Sequence, residues 1–285
     1  MLTPEQVEER RGGVGGSDVA AIIGTSPYAT ATDIYHLKLG VAEVEETQAM
    51  YWGNALERSI CSRYKATRPN IGFYGGFNGP GMLPHRELPW CFGTPDAVVE
   101  YLDLDTGESA RWGLEVKTAN AFAAREWDEG VPQHYVEQVQ WYLFVTGLAR
   151  WDVAVLIGGS DYREFTLARD EKRQAELFDA AHHFWFGHVL RELPPEPTTP
   201  AEFARSVPAD NGVMLRANAD AEQAIFCYKH ALDTLRVVQT EVDDMKAHIQ
   251  RIIGENAGIE GPWGKITWRR SGKSRRFLTT FVETD

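Results

Sequence analysis

Asp96, Glu115 and Lys117 are the first residues of this 285-residue chain that suggest a reaction. Glu115 and Lys117 stand two apart in the strand-like stretch LEVKT. Both side chains therefore leave one face, while Val116 between them turns to the core. Asp96, in GTPDAVV, opens the preceding strand-like run, and pairing of the two runs brings it beside them. Two carboxylates, with no Cys or His close by in sequence, suit Mg2+ or Mn2+ rather than zinc. An ammonium beside them can hold or polarise an attacking water, or stabilise charge on a phosphate. Alternating charges also mark a strand that is merely solvated, and D…ExK alone does not separate the two readings. The Gly-Thr-Pro turn before Asp96 and the apolar strand interrupted at Glu115 and Lys117 favour the chemical one.

These residues need a scaffold, and the sequence predicts one. CFGTPDAVVEYL and ARWGLEVKTA are strand-like and joined by the polar turn DLDTGES, which predicts a hairpin. WDVAVLIGG is a continuous apolar run, read as a buried strand, with DYREFTLA as its partner. MYWGNALERSICSRYKAT carries Trp52, Leu56, Ile60 and Tyr64 at helical spacing. Two helices follow the hairpin, the second running from Pro132 to Gly147, and DEKRQAELFDAAHHFWFGHVLREL is a last long helix. Near the N-terminus, SDVAAIIG and ATDIYHLKLG read as two short helices. LPPEPTTPAEF is a proline-rich break, and beyond it a helix is predicted from about Ala219 to Gly254. Its apolar residues recur at spacings of three and four, but the step from Leu235 to Val238 breaks a heptad. A helix packing on its own domain is favoured over a coiled-coil arm. The expected divisions are a domain over 1–193, a linker over 194–218, and a C-terminal helix with a basic β-hairpin over 219–285.

Composition narrows the classes. No apolar run approaches membrane-spanning length, and the N-terminus has no basic segment followed by an apolar one. Cys61, Cys91 and Cys227 are too few and too scattered for a disulfide framework or a four-thiolate cluster, which points to a reducing cytoplasm. A net charge of −12 argues against a protein that coats nucleic acid nonspecifically. The charge is uneven, however. KITWRRSGKSRR holds Lys265, Arg269, Arg270, Lys273, Arg275 and Arg276 with no acid, beside Trp268 and Phe277. Such a cluster suits a solvated surface or backbone phosphates. The glycine cluster RRGGVGGSDVAAIIGTSPY is a poor dinucleotide loop, because Asp18 stands where the third glycine belongs and no apolar strand precedes it. Its glycines let the backbone approach a ligand, Ser17 or Asp18 can cap a helix starting near Val19, and the neighbouring arginines attract anions.

Together these residues resemble the PD-(D/E)xK nuclease superfamily. GGSDVAAIIGTSPY, WGNALE, GTPDA, LEVKTA, VPQHYVEQVQWYLFVTG and WDVAVLIGG follow the order seen in YqaJ-type viral recombinases, which are similar to lambda exonuclease. The resemblance covers residues 10 to 190. It implies an α/β fold of the α+β kind, a restriction-endonuclease-like core with a mixed central sheet flanked by helices. It also implies roles. Glu57 helps bind a second metal, Asp96 is the shared ligand, Glu115 binds the first metal, and Val116 lends its carbonyl. Lys117 is the catalytic lysine, and Gln138 and Tyr142 form a Q-x-x-x-Y element with Tyr135 nearby. Arg10 with Ser17 receives the 5′-phosphate of a DNA end, Arg11 being the alternative arginine.

The implied reaction is hydrolysis of double-stranded DNA from 5′ to 3′ with Mg2+ or Mn2+, two ions per site. It leaves 3′ single strands for a RecT- or Bet-like annealing protein. A homo-oligomeric ring, trimer or tetramer, in a bacterial host cytoplasm is expected. Arg269, Arg270, Lys273, Arg275 and Arg276 are candidate contacts to the DNA backbone. The alternatives are a RecB- or Cas4-like single-strand nuclease, or a noncatalytic DNA-end or annealing-partner module. The complete Asp96, Glu115 and Lys117 set argues against the second.

Overall fold

The computed structural model describes residues 4–282, apart from 69, 77–78, 104, 208 and 273. The chain divides into two compact units between residues 208 and 209. No helix among the described residues is long and apolar enough to cross a membrane.

The first unit begins with three short helices, α1 (Pro4–Arg11), α2 (Gly16–Ile22) and α3 (Ala31–Lys38), and a longer one, α4 (Gln48–Ala66). Strands β1 (Ile71–Tyr74), β2 (Leu83–Pro84), β3 (Phe92–Gly93), β4 (Ala97–Leu102) and β5 (Ser109–Ala119) follow. A 3-10 helix (Ala121–Trp127) and α5 (Gln133–Thr146) lead into β6 (Arg150–Ile157), β7 (Asp161–Ala168) and α6 (Glu171–His182). The five-stranded sheet has the order β1-β4-β5-β6-β7. Every neighbouring pair is antiparallel except β5 and β6, which run parallel because α5 carries the chain across between them.

Alternation along β5 places the helices on both faces. Trp112, Leu114 and Val116 pack with Ile60, Cys61 and Tyr64 of α4. On the other side, Val139 and Leu143 of α5 pack with Val153 and Val155 of β6, with Val19 of α2 and Leu177 of α6 in the same core. The mixed sheet flanked by helices is thus the predicted fold class, and the expected hairpin is the β4–β5 pair, with Ala97 opposite Leu114.

Several expectations are corrected. The run from Cys91 to Leu102 is not one strand, for Thr94, Pro95 and Asp96 interrupt it. Proline lacks the N–H a ladder needs. Trp52 lies on the first turn of α4, 56% exposed, off the buried stripe of Ile60, Cys61 and Tyr64. The helix after Asp170 widens into a π-helix over His183–Val189. The stretch read as a linker contains α7 (Pro200–Ser206), capped by Thr199, and the Glu202 side chain is buried and accepts from Thr198 and Thr199.

The second unit consists of α8 (Ala219–Ile253) and the strands β8 (Gly258–Gly261), β9 (Gly264–Ser271) and β10 (Ser274–Phe281). These form a three-stranded sheet in the order β10-β9-β8, where a two-stranded hairpin was expected. The expected packing of α8 on its own domain is not found. Ile225, Tyr228, Leu232, Leu235, Val238, Val242 and Met245 are exposed, and Ile253 at its foot is buried. Apolar periodicity marks a face; it does not say what covers it.

Candidate active site

The sheet opens just before β4 begins. Ala97 is the first residue of β4 and pairs with Leu114, so from Glu115 onward β5 has no strand on that side. Asp96 takes the place of the missing strand: its Oδ2 accepts from the Val116 N–H at 2.6 Å. In a ladder a residue directs its N–H and C=O to the same side, so the Val116 carbonyl faces this gap as well.

Glu115 is buried, and its Oε1 accepts from Lys117 Nζ at 2.6 Å and from Gln138 Nε2 at 2.8 Å. Lys117 Nζ also donates to Gln138 Oε1 at 3.0 Å and lies 4.7 Å above the Tyr135 ring. Gln138 Nε2 reaches the Tyr142 hydroxyl at 2.9 Å, and that hydroxyl donates to the Thr94 carbonyl at 3.1 Å. Gln138 and Tyr142 are four apart on α5, so one helix face presents both to β5. The expected Glu115, Lys117, Gln138 and Tyr142 therefore share one continuous hydrogen-bonded network.

The charges in this gap perturb one another. Burial raises the Asp96 carboxyl well above its ordinary range, Glu115 and Glu57 add to the rise, and Lys117 opposes it. Glu57 is raised as well, first by burial and then by Glu115. This coupling places Glu57, one turn before Cys61 on the inward side of α4, within electrostatic reach of the gap. Burial depresses the Lys117 amine, but Glu115 and Asp96 outweigh it and the net shift is upward. Lys117 is accordingly an ammonium at neutral pH. The Cys61 thiol beneath the gap is pushed up to about 12, by burial first and then by Asp96, Glu57 and Glu115.

A divalent cation fits this donor set. Glu115 Oε2 is a buried oxygen with no hydrogen-bond partner, and a buried carboxylate oxygen left so is costly. The groups around it are carboxylates and a backbone carbonyl, the hard oxygen donors of Mg2+ or Mn2+. Among the described residues no group of three or more Asp, Glu, His or Cys side chains is placed to hold a metal ion, so side chains alone do not complete a site here. An open site is the usual form for Mg2+, which keeps waters and takes substrate phosphate oxygens beside one or two carboxylates.

The glycine cluster adjoins the same network. A Cβ on Gly16 would lie 2.3 Å from the Tyr142 ring, so only glycine lets the start of α2 approach so closely. Gly13 is as tightly held, with a Cβ there falling 2.1 Å from the Trp90 carbonyl oxygen, while Val14 N–H donates to that carbonyl. The helix begins at Gly16 rather than near Val19, and Asp18, not Ser17, closes it by accepting from the Gly15 N–H at 2.8 Å. Ser17 is left exposed. The two candidate arginines part ways. The positive charge of Arg10 acts on the Tyr142 hydroxyl, whereas Arg11 is paired with Glu8 at 2.9 Å and its guanidinium fills the space beside Gly40.

Sequence reasoning missed the brace under this loop. Lys38, at the end of α3, donates to Asp18 Oδ2 at 2.6 Å and to the Arg10 carbonyl at 2.7 Å, and its side chain is almost wholly buried. Two residues twenty apart carry no local signal of such a pair. It also missed Tyr28, whose hydroxyl stands 3.5 Å from that of Tyr135. Of the basic tail, Arg269, Arg270, Arg275 and Arg276 lie in the second unit, and Lys273 falls outside the described residues.

This fold is that of the alkaline exonucleases. The alkaline exonuclease of Laribacter hongkongensis superposes with a TM-score of 0.53 at 19% identity, covering 72% of this chain and 98% of that one. The same enzyme in complex with dAMP gives 0.52 at 20% identity, over the same shares of the two chains. The YqaJ-like viral recombinase domain model matches residues 6–149, and the chain belongs to that family. A curated relative, the uncharacterized protein YqaJ of Bacillus subtilis, is 32% identical over 201 residues. That alignment takes in 67% of this chain but only 57% of the relative's length.

Proposed function

We propose that this chain is a divalent-metal-dependent DNA exonuclease that degrades one strand of a double-stranded end from 5′ to 3′. The observation that carries the reading is the buried Glu115–Lys117–Gln138 network, set beside Asp96 just ahead of the first residue of β4. Membership in a recombinase family and the exonuclease fold support it.

Glu115, Asp96, the Val116 carbonyl and Glu57 would hold Mg2+ or Mn2+, two ions per site. The cation would supply charge stabilisation at the scissile phosphate and make a bound water more acidic. Lys117, held as an ammonium between Glu115 and Gln138, donates to the attacking water or to the phosphate oxygen on which charge develops. Gln138 fixes both Glu115 and Lys117, and Tyr142 holds Gln138 against the Thr94 carbonyl. Phosphodiester hydrolysis then adds water across the P–O bond and releases the 3′-oxygen. Arg10, with Ser17 on the exposed side of α2, receives the terminal 5′-phosphate. Arg11 is not assigned this role, because Glu8 already neutralises it. The 3′ strand left behind passes to a RecT- or Bet-like annealing protein, and a trimeric or tetrameric ring around DNA accounts for sustained digestion. The residue boundaries 1–193, 194–218 and 219–285 are proposed as functional divisions, the first holding the nuclease site.

A linear duplex labelled at the 3′ end of one strand tests this. With Mg2+, the label is expected to stay on long products until late, and a 5′-phosphorylated end to be digested faster than a 5′-hydroxyl end. Early release of the label as mononucleotide would reverse the polarity and overturn the reading.

A further inference from the structure

In the second unit, antiparallel pairing sets Arg269 directly opposite Arg276 and Lys265 opposite Thr280. Side chains alternate along each strand, so Lys265, Thr267, Arg269, Arg276 and Thr280 share one face, and Ile266, Trp268, Arg270, Arg275 and Phe277 the other. The second face is largely committed within the unit. Ile266 is buried, and the Arg275 guanidinium lies 3.8 Å above the Trp268 ring while donating to the Gly254 and Asn256 carbonyls at the end of α8. Phe277 receives Lys246 of α8 at 5.5 Å, and Arg270 turns back to the Gly272 carbonyl. Arg275, a candidate DNA contact from the sequence, is thus a structural cap.

The first face is different. Lys265, Arg269 and Arg276 are exposed, and among the described residues no carboxylate is ion-paired to any of them. Glu260, opposite Lys265 in the ladder, is the single acid on this face among the described residues. Like charges directly opposite one another weaken a sheet; Arg275, opposite Arg270, offsets this with bonds to backbone carbonyls and the Trp268 ring, whereas among the described residues no ion pair offsets the Arg269–Arg276 repulsion. Lys265 and Arg269 are four residues apart, or about 13 Å along the strand. That is about four steps of a duplex, whose phosphates follow one another every 3.4 Å of axis on each strand.

We propose that this face binds the phosphate backbone of duplex DNA through Lys265, Arg269 and Arg276. The choice of DNA as the polyanion rests on the nuclease reading; the cationic face itself does not.

The experiment measures binding of the full-length chain to a fluorescent blunt duplex, in chelator and without divalent ions, across a salt series. Arg269→Glu and Arg276→Glu are each expected to weaken binding about five- to tenfold near 0.1 M salt and to lower the salt slope by about one. Each substitution also sets a carboxylate against the remaining arginine, so the thermal midpoint should hold or rise, which a purely structural role would not give. Parent-like affinity and slope in both variants would overturn the proposal. So would displacement of the duplex by polyglutamate as effectively as by unlabelled duplex, since that marks an acidic protein as the partner. A chain that binds as expected but cuts no DNA would refute the nuclease reading and leave this one standing.

Discussion

At the scale of the residue, the proposed chemistry turns on an amine that keeps its proton. Lys117 sits between Glu115 and Gln138 and is shifted upward, so in the proposed reaction it is a fixed positive donor and not a base at neutral pH. Lys117→Ala is expected to lower the cleavage rate by about a thousandfold or more while far-ultraviolet circular dichroism stays parent-like. Gln138→Ala should cost about ten- to a hundredfold, because Glu115 and Lys117 then lose one shared partner each. The carboxylates give a pH dependence with a definite sign. Asp96 and Glu57 are raised in the folded protein, so the native state binds more protons than the unfolded one. In chelator, stability should therefore fall as pH rises through and above the ordinary carboxylate range. Mg2+ binds the ionised forms, so the midpoint gained on adding it should be larger near pH 8 than near pH 5.5. Thermal melts with and without Mg2+ at the two pH values check this, and an equal gain at both would contradict it.

At the scale of the element, two packing devices hold the site. The Tyr64 hydroxyl, two turns after Glu57 on α4, donates to the buried Asp152 Oδ2 at 2.5 Å and accepts from Trp112 Nε1 at 2.8 Å. This clamps α4 to β5 and β6. Tyr64→Phe is expected to cost about 1–3 kcal/mol in denaturant unfolding and to raise the Mg2+ concentration needed for half-maximal rate. The second device is the contact of Gly16 with Tyr142. Gly16→Ala should displace the ring or the loop, lowering stability by about 1–3 kcal/mol and cleavage with it. Much of this level was legible in the sequence. Alternation of Glu115, Val116 and Lys117 gave the shared face, and the spacing of Gln138 and Tyr142 gave their convergence. The Gly-Thr-Pro turn before Asp96 was legible as well, but the bond from the Val116 N–H to the Asp96 carboxylate, which fills the place of the missing strand, was not. Trp52 misled: helical spacing fits it, but the first turn of α4 extends past the core it was assigned to.

At the scale of the whole molecule, the acidic balance of the chain conceals a basic sheet at its end. The net charge of −12 coexists with a β9–β10 face carrying Lys265, Arg269 and Arg276. The cluster was legible in sequence, but its division into one exposed face and one structural arginine required the strand register. The β6–β7 pair was legible too, since an apolar run followed by an amphipathic partner predicts it, whereas the mixed character of the sheet was implied only by the family resemblance. The exposure of the α8 apolar row was not, because periodicity reports a face and not its neighbour. Sedimentation equilibrium of the full chain is expected to give three or four times the chain mass, and a monomer at micromolar concentration would contradict the proposed ring.

The central claim is that the gap beside Glu115 holds a divalent cation and cuts a phosphodiester there. Its most direct measurement is the initial rate of duplex digestion against Mg2+ concentration for the parent and for Glu115→Gln, at matched thermal stability. The parent should follow a saturable Mg2+ dependence that chelator abolishes, and Glu115→Gln should show no digestion at any Mg2+ concentration. Parent-like digestion by Glu115→Gln, or digestion by the parent in excess chelator, would contradict the claim.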